Sequence, residues 1–206
     1  MSKIKILIAD DHTIVRIGLV ALLGAEADFE IVGEAKNGLQ AVEDAMRLRP
    51  DVVVMDLVMP KKNGIDATAE ILDRLPATKI LVLTSFGTSD GITHALQAGA
   101  SGAVMKTADD GTLVAAIRKV ANGERVISPE VKKMLNEDPP IPVLSPRQKE
   151  ILVAITDGRT NKEIASVLGI RKDSVEDYLR TLFSKLGAAN RAEAVAIALR
   201  KHLLKI

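Results

Sequence analysis

Cysteine is absent from this chain of 206 residues. That excludes disulfides and thiolate metal sites, and it agrees with a reducing compartment. Tryptophan is absent too, and aromatic residues make up only 2% of the chain, so the core must be built from Ile, Leu, Val, Ala and Met. No run of about 18 apolar residues occurs, which argues against a membrane span. The opening MSKIKILIADD reaches its aspartates too early for a secretory signal. These absences point to a cytoplasmic protein with no membrane partner. With 47% hydrophobic and 27% charged residues, the composition is that of an ordinary globular chain of one or two domains.

A large excess of either charge is also lacking, since the formal net charge is +1. The balance is uneven along the chain, however. Residues 1–138 hold 16 Lys/Arg against 20 Asp/Glu, while residues 139–206 hold 12 against 7. An acidic first part and a basic second part suggest two modules with different partners.

Up to residue 122, short β-branched runs alternate with amphipathic segments. The runs are KIKILIA (3–9), EIVGEA (30–35), DVVVMD (51–56), KILVLT (79–84) and GAVMK (102–106). Four are nearly continuous apolar stretches, as expected of strands covered on both faces. Five βα units in succession predict an α/β fold, a doubly wound five-stranded parallel sheet. Four of the chain's eight prolines then fall in NEDPPIPVLSP (136–146), a semi-rigid linker. A weak helical pattern, SPEVKKMLNE (128–137), precedes it. Beyond the linker no strand is evident. SPRQ (145–148) and TNKE (160–163) are capping boxes that open helices, and Gly158, Gly169 and Gly187 stop three of them. The second part is a small all-α domain of four helices containing a helix–Gly turn–helix, the pattern of a helix-turn-helix. The domains divide as 1–124, a linker over 125–143, and 144–206.

In open parallel sheets the ligand site lies beyond the carboxyl ends of the strands. There this sequence places Asp10 and Asp11 after the first strand, Asp56 at the end of the third, Thr84 at the end of the fourth and Lys106 at the end of the fifth. A single aspartate at a strand end is ordinary turn or cap chemistry. Three carboxylates at one edge repel unless a cation joins them, and oxygen-only ligands favour a hard ion such as Mg²⁺. A hydroxyl and an ammonium beside that centre can stabilise a phosphoryl group on Asp56.

ADDH (9–12), VVVMDLVMP (52–60) with Gly64 beyond it, LTS (83–85) and GASGAVMK (99–106) resemble a response-regulator receiver domain. The resemblance implies that Asp56 accepts a phosphoryl group from a histidine of a sensor kinase. It also implies that Asp10, Asp11, Asp56 and the backbone carbonyl of Val58 hold Mg²⁺, and that Thr84 and Lys106 contact the phosphoryl oxygens. Two positions depart from the receiver pattern. Ala103 stands where a Tyr or Phe is usual, three residues before the lysine, with Phe86 near Thr84 as a potential substitute. Thr107 stands where proline is frequent.

LSPRQKEIL (144–152), TNKEIASVLGI (160–170), SV (174–175) and KLGAANRAEAV (185–195) resemble the LuxR-type helix-turn-helix of the NarL/FixJ response regulators. Double-stranded DNA is the partner this implies, read by a homodimer formed on phosphorylation. Lys162, Arg171, Lys172, Arg180, Lys185 and Arg191 are the candidate phosphate contacts. Arg180 and Thr181 lead the candidate reading residues, beside Glu176 and Asp177. The two acids stand where the family usually places a lysine and a variable residue, with Tyr178 where histidine is frequent.

Three accounts of the acids stand open. They complete an N-terminal cap begun at Asp173 or Ser174; they accept a hydrogen bond from cytosine N4; or the module contacts a protein instead. The last account gives the alternative function, a phospho-switch whose second module binds a protein partner. A phosphatase working through an aspartyl intermediate is the enzymatic alternative. It lacks a second acid placed after Asp56 to activate water, so the chain reads as a regulator and not as an enzyme.

Overall fold

The computed structural model describes residues 3–85, 89–137, 140, 144–201 and 203. It divides into two units, Met1–Pro140 and Ile141–Ile206.

In the first unit β1 (Ile4–Ala9), β2 (Phe29–Ala35), β3 (Val52–Met55), β4 (Lys79–Thr84), β5 (Gly102–Met105) and β6 (Val126–Ile127) form one sheet in the order β2-β1-β3-β4-β5-β6. Every neighbouring pair is parallel. Side chains of a strand point alternately to its two faces, and the apolar runs use both. Leu7, Val53, Met55, Ile80, Val82 and Ala103 face a core formed with α2 (Gly38–Leu48), α3 (Gly64–Arg74) and α4 (Ser89–Gln97). Ile6, Ile8, Val52, Val54, Leu81, Leu83 and Val104 face the opposite core, formed with α1 (Thr13–Gly24) and α5 (Asp110–Ala121). This is the doubly wound arrangement that the alternating pattern predicts.

The sheet has a sixth strand beyond the five expected. β6 is a two-residue edge strand whose Val126 and Ile127 pair with Gly102 and Ala103. Such a short run shows no period in sequence. After it α6 (Pro129–Glu137) buries Val131 against the α2–α4 side of the sheet. The first two thirds of the 125–143 span therefore carry ordered elements of the first unit, and Asp138, Pro139 and residues 141–143 lie outside the described residues. Among the described residues, no helix is long and apolar enough to cross a membrane.

The second unit holds α7 (Pro146–Thr156), α8 (Asn161–Leu168), α9 (Lys172–Leu186) and α10 (Arg191–Arg200). Both expected capping boxes form, Ser145 with Gln148 and Thr160 with Glu163. Gly169 ends α8 at φ +63° and Gly187 ends α9 at φ +66°, left-handed conformations that a side chain strains. Ile151, Leu152, Ile164, Val175, Leu182, Ala194 and Ala198 close a separate core. In α10, Ala194, Ile197 and Ala198 are core residues, and Leu203 packs on the same cluster; Leu204 lies outside the described residues.

Candidate functional site

The ends of β1, β3, β4 and β5 bring the predicted residues to one edge of the sheet. Asp10, Asp56 and Thr84 are buried, and Asp11 is partly exposed. The Lys106 ammonium reaches across from the end of β5, with Nζ 2.8 Å from Asp56 Oδ2 and 2.6 Å from Asp10 Oδ2. The first contact is a hydrogen bond. The second is closer and is an ion pair, with Asp10 Oδ2 taking part in no hydrogen bond. Lys106 N also donates to the Thr84 carbonyl at 2.7 Å, so the ends of β4 and β5 are tied beside Asp56.

Two opposing effects set the protonation of this cluster. Burial raises the Asp56 carboxyl above the ordinary aspartate value, and the Lys106 bond does not fully offset it. At Lys106, burial disfavours the charge, but the nearby Asp10 and Asp56 carboxylates prevail and hold the ammonium above the ordinary lysine value. The lysine therefore stays charged across the neutral range.

The loop leaving β3 packs so closely that only glycine fits at residue 64. A Cβ built there falls 2.0 Å from the Asp56 carbonyl oxygen and 2.9 Å from Leu57 Cα. Real Cβ atoms do not approach backbone so closely, so the glycine is what lets α3 begin directly behind the acceptor. Gly64 N donates to the Leu57 carbonyl at 2.9 Å, and Asn63 caps α3 by accepting from Asp66 N at 2.7 Å. Val58 N lies 3.4 Å from Asp56 Oδ1 while the Val58 side chain is exposed. It is therefore the backbone of this residue that borders the acids.

Four residues, Asp10, Asp11, His12 and Asp56, each offer one ligand atom, all within 4.8 Å of one another. Asp10 Oδ2 and Asp11 Oδ1 are buried oxygens without a hydrogen bond, which fits a cation-binding cluster. The sequence assigns His12 no role, although it closes ADDH (9–12). Its Nδ1 lies 2.8 Å from Asp11 Oδ1 and 3.3 Å from Asp10 Oδ1, and its backbone N donates to Asp10 Oδ1 at 2.8 Å. Arg16 carries no such signal in sequence either, and its Nη1 donates to the Asp10 carbonyl at 2.9 Å. Arg16 reaches this point through the first turns of α1, whereas His12 adjoins the two aspartates in sequence.

Ala103 is fully buried in β5 and pairs with Val82 and Ile127, so no ring is available to rotate at that position. Phe86, the potential substitute, lies outside the described residues.

In the second unit α8, Gly169 and α9 form the expected helix-turn-helix. Val175, Leu179, Leu182 and Leu186 are the buried face of α9. Lys162, Arg171, Lys172, Glu176, Asp177, Arg180 and Thr181 are exposed. Lys185 is half-buried, and its Nζ lies 3.0 Å from Gln148 Oε1, a tie between α9 and α7. Arg191 donates to the Arg159 carbonyl and likewise serves the packing. Of the three accounts of the acids, the cap at Asp173 or Ser174 does not form. Arg171 is the N-cap, with no side-chain cap bond, so Glu176 and Asp177 complete no capping box. The helix begins earlier than the Asp-Ser pair suggests.

Residues 6–118 match the response regulator receiver domain, and residues 142–198 match the luxR family of bacterial regulatory proteins. The chain belongs to the response regulators, two-component transcription regulators that here join a receiver to a LuxR-type helix-turn-helix module. It is similar to the oxygen regulatory protein NreC of Staphylococcus aureus, 39% identical over 215 residues that cover 98% of this chain and 99% of that one. It is also similar to the response regulator protein VraR of Staphylococcus aureus, 37% identical over 207 residues with the same coverage. Among solved structures, RcsB of Salmonella typhimurium aligns with a TM-score of 0.73 and 25% identity, over 94% of this chain and 98% of that one. A structure of RcsB dimers bound to DNA aligns with a TM-score of 0.70 and 25% identity, over 97% of this chain and 99% of that one.

Proposed function

We propose that Asp56 accepts a phosphoryl group from a phosphohistidine of a sensor kinase, and that this mark controls the second module. An Asp56 carboxylate oxygen attacks phosphorus while the phosphorus–nitrogen bond of the donor breaks, and the imidazole leaves with the bonding pair. The single observation that carries the reading is the Lys106 ammonium held between the Asp10 and Asp56 carboxylates. It is a fixed positive charge beside the attacking group, able to meet the oxygens of the incoming phosphoryl group. Thr84, at the end of β4, supplies a hydroxyl on the same edge. Mg²⁺ would be held by Asp10, Asp11 and Asp56 with the backbone carbonyl of Val58, and when bound it neutralises charge on the transferring group. The aspartyl phosphate is an activated acyl phosphate, so hydrolysis resets the mark; the chain acts as a switch and not as a turnover enzyme.

In this reading 1–124 is the receiver, 144–206 binds double-stranded DNA, and 125–143 joins them with β6 and α6 inside it. The RcsB–DNA structure supports the DNA partner. So does the exposed basic set of Lys162, Arg171, Lys172 and Arg180. A homodimer follows phosphorylation. Ile14 and Ile17 are 86% and 62% exposed on α1, with Gly18 and Ala21 beside them. This apolar stripe suits a second copy of the same face. A cytoplasmic location agrees with the absence of cysteine.

Incubation with a small acyl-phosphate donor and Mg²⁺ tests the reading. One phosphoryl group per chain is expected on the wild type and none on Asp56→Ala. Equal labelling of the two removes the assignment. The exposed carboxylates of α9 favour a second reading, in which the output is a protein partner. Titration of the full chain with promoter DNA at falling salt separates the two, because phosphate contacts impose a strong salt dependence.

A further inference from the structure

Two carboxylates lie side by side in sequence on α9, yet the helix gives them different positions. With about 100° per residue, and Val175 marking the buried face, Glu176 lies about 100° away, on the flank. Asp177 lies about 200° away, opposite the core. Its side chain is 72% exposed, against 49% for Glu176. Glu176 is drawn toward Lys172, with Nζ 3.5 Å from Oε1. Asp177 instead pairs with Arg180 on the outward face, where Nη1 is 3.4 Å from Oδ1.

Beyond this exposed pair, no structural duty accounts for Asp177. It completes no cap, since the N-cap is Arg171. It is the sixth residue of the helix counted from Lys172, past the first turn where the positive helix end favours an acid. It lines a shallow concavity of about 300 Å³ with Ser174, Tyr178 and Thr181. Thr181 Oγ1 donates to the Asp177 carbonyl at 2.9 Å, so this hydroxyl proton is already committed.

We propose that Asp177 is a specificity-determining residue that selects cytosine in the major groove, accepting a hydrogen bond from its N4 amino group. The proposal rests on the reading of the second module as DNA-binding. In the major groove a G·C pair sets the two guanine acceptors, N7 and O6, next to the cytosine donor. Arg180 and Asp177 present the complementary pattern, a donor fork beside an acceptor-only group. The same ion pair offsets the repulsion that a lone carboxylate meets near phosphates. Glu176, on the flank, plays no part in base choice.

The test is selection of duplexes from a randomised pool by the full-length protein treated with the acyl-phosphate donor, comparing wild type, Asp177→Ala and Glu176→Ala. The wild type is expected to enrich cytosine at one position of each half-site. Asp177→Ala lowers that enrichment about 5- to 10-fold, the scale of one base contact, and leaves the other positions as they were. Glu176→Ala keeps the wild-type preference. Identical base frequencies for wild type and Asp177→Ala overturn the inference while leaving DNA binding intact. A wild type that binds no duplex even at low salt removes the DNA-binding reading itself, and the inference falls with it.

Discussion

The Lys106 ammonium lies 2.8 Å from Asp56 Oδ2, joining residues 50 positions apart in sequence at the ends of β5 and β3. The side chains are only 10% and 6% exposed, so the pair sits where water screens it poorly. Because Asp10 shares the same ammonium, one cation serves two carboxylates, and the consequences of removing either partner differ.

Lys106→Ala leaves two buried acids without their cation. Breaking such a pair costs about 3–5 kcal/mol, so the metal-free variant is expected to unfold at markedly lower urea concentration at neutral pH. Mg²⁺ should restore more stability to the variant than it adds to the wild type, because it supplies the missing positive charge. Urea titrations with and without Mg²⁺ measure both effects.

Asp56→Asn acts in the opposite direction. Folded Asp56 keeps its proton to higher pH than an aspartate at the ordinary value of 3.8. Between those two values the folded state binds more protons than the unfolded chain, so stability falls as pH rises through the window. An asparagine cannot ionise and escapes that loss. In chelator, Asp56→Asn should be more stable than wild type above the window, with the difference shrinking as pH falls toward 3.8. A pH series of urea midpoints tests this; a constant difference across the series counts against a titrating Asp56.

Gly64→Ala places a methyl group 2.0 Å from the Asp56 carbonyl oxygen. Neither atom can yield without moving backbone, so the acceptor loop must shift. We expect phosphoryl incorporation to drop at least 10-fold and stability to fall by about 1–3 kcal/mol, as for other overpacked sites. Unchanged labelling would show that the loop behind Asp56 has more freedom than its packing implies.

Ile14→Asp together with Ile17→Asp should abolish phosphorylation-dependent dimerisation without reducing labelling of Asp56. Both side chains are exposed, so the fold loses little, while two carboxylates on an apolar stripe oppose its burial against a second copy. Sedimentation velocity with and without the acyl-phosphate donor distinguishes a monomer from a dimer. A dimer that persists in the double variant assigns the contact to another face.

Much of this site was legible in sequence for a geometric reason. Parallel strands end at one edge, so Asp10, Asp56, Thr84 and Lys106 had to converge once KIKILIA, DVVVMD, KILVLT and GAVMK were read as strands. Other features depend on closeness that linear order hides. β6 is too short to show a period, and the glycine requirement at residue 64 comes from the return of α3 onto the Asp56 carbonyl. Arg16 reaches the Asp10 carbonyl only because α1 starts directly after β1, whereas His12 meets Asp11 as its neighbour in sequence. Asp173 and Ser174 are favoured cap residues, which keeps a cap there among the readings of the sequence, yet the helix begins at Lys172. Lys185 reads as a surface cation until its bond to Gln148 is seen.

The most direct measurement is the position of the mark itself. Protein treated with an acyl-phosphate donor and Mg²⁺ is reduced with borohydride, which converts an aspartyl phosphate to homoserine, and its peptides are mapped by mass spectrometry. Conversion at Asp56 alone, absent from protein treated without the donor, is the predicted result. Conversion at Asp10 or Asp11, or phosphate retained on a hydroxyl residue with Asp56 intact, contradicts the account.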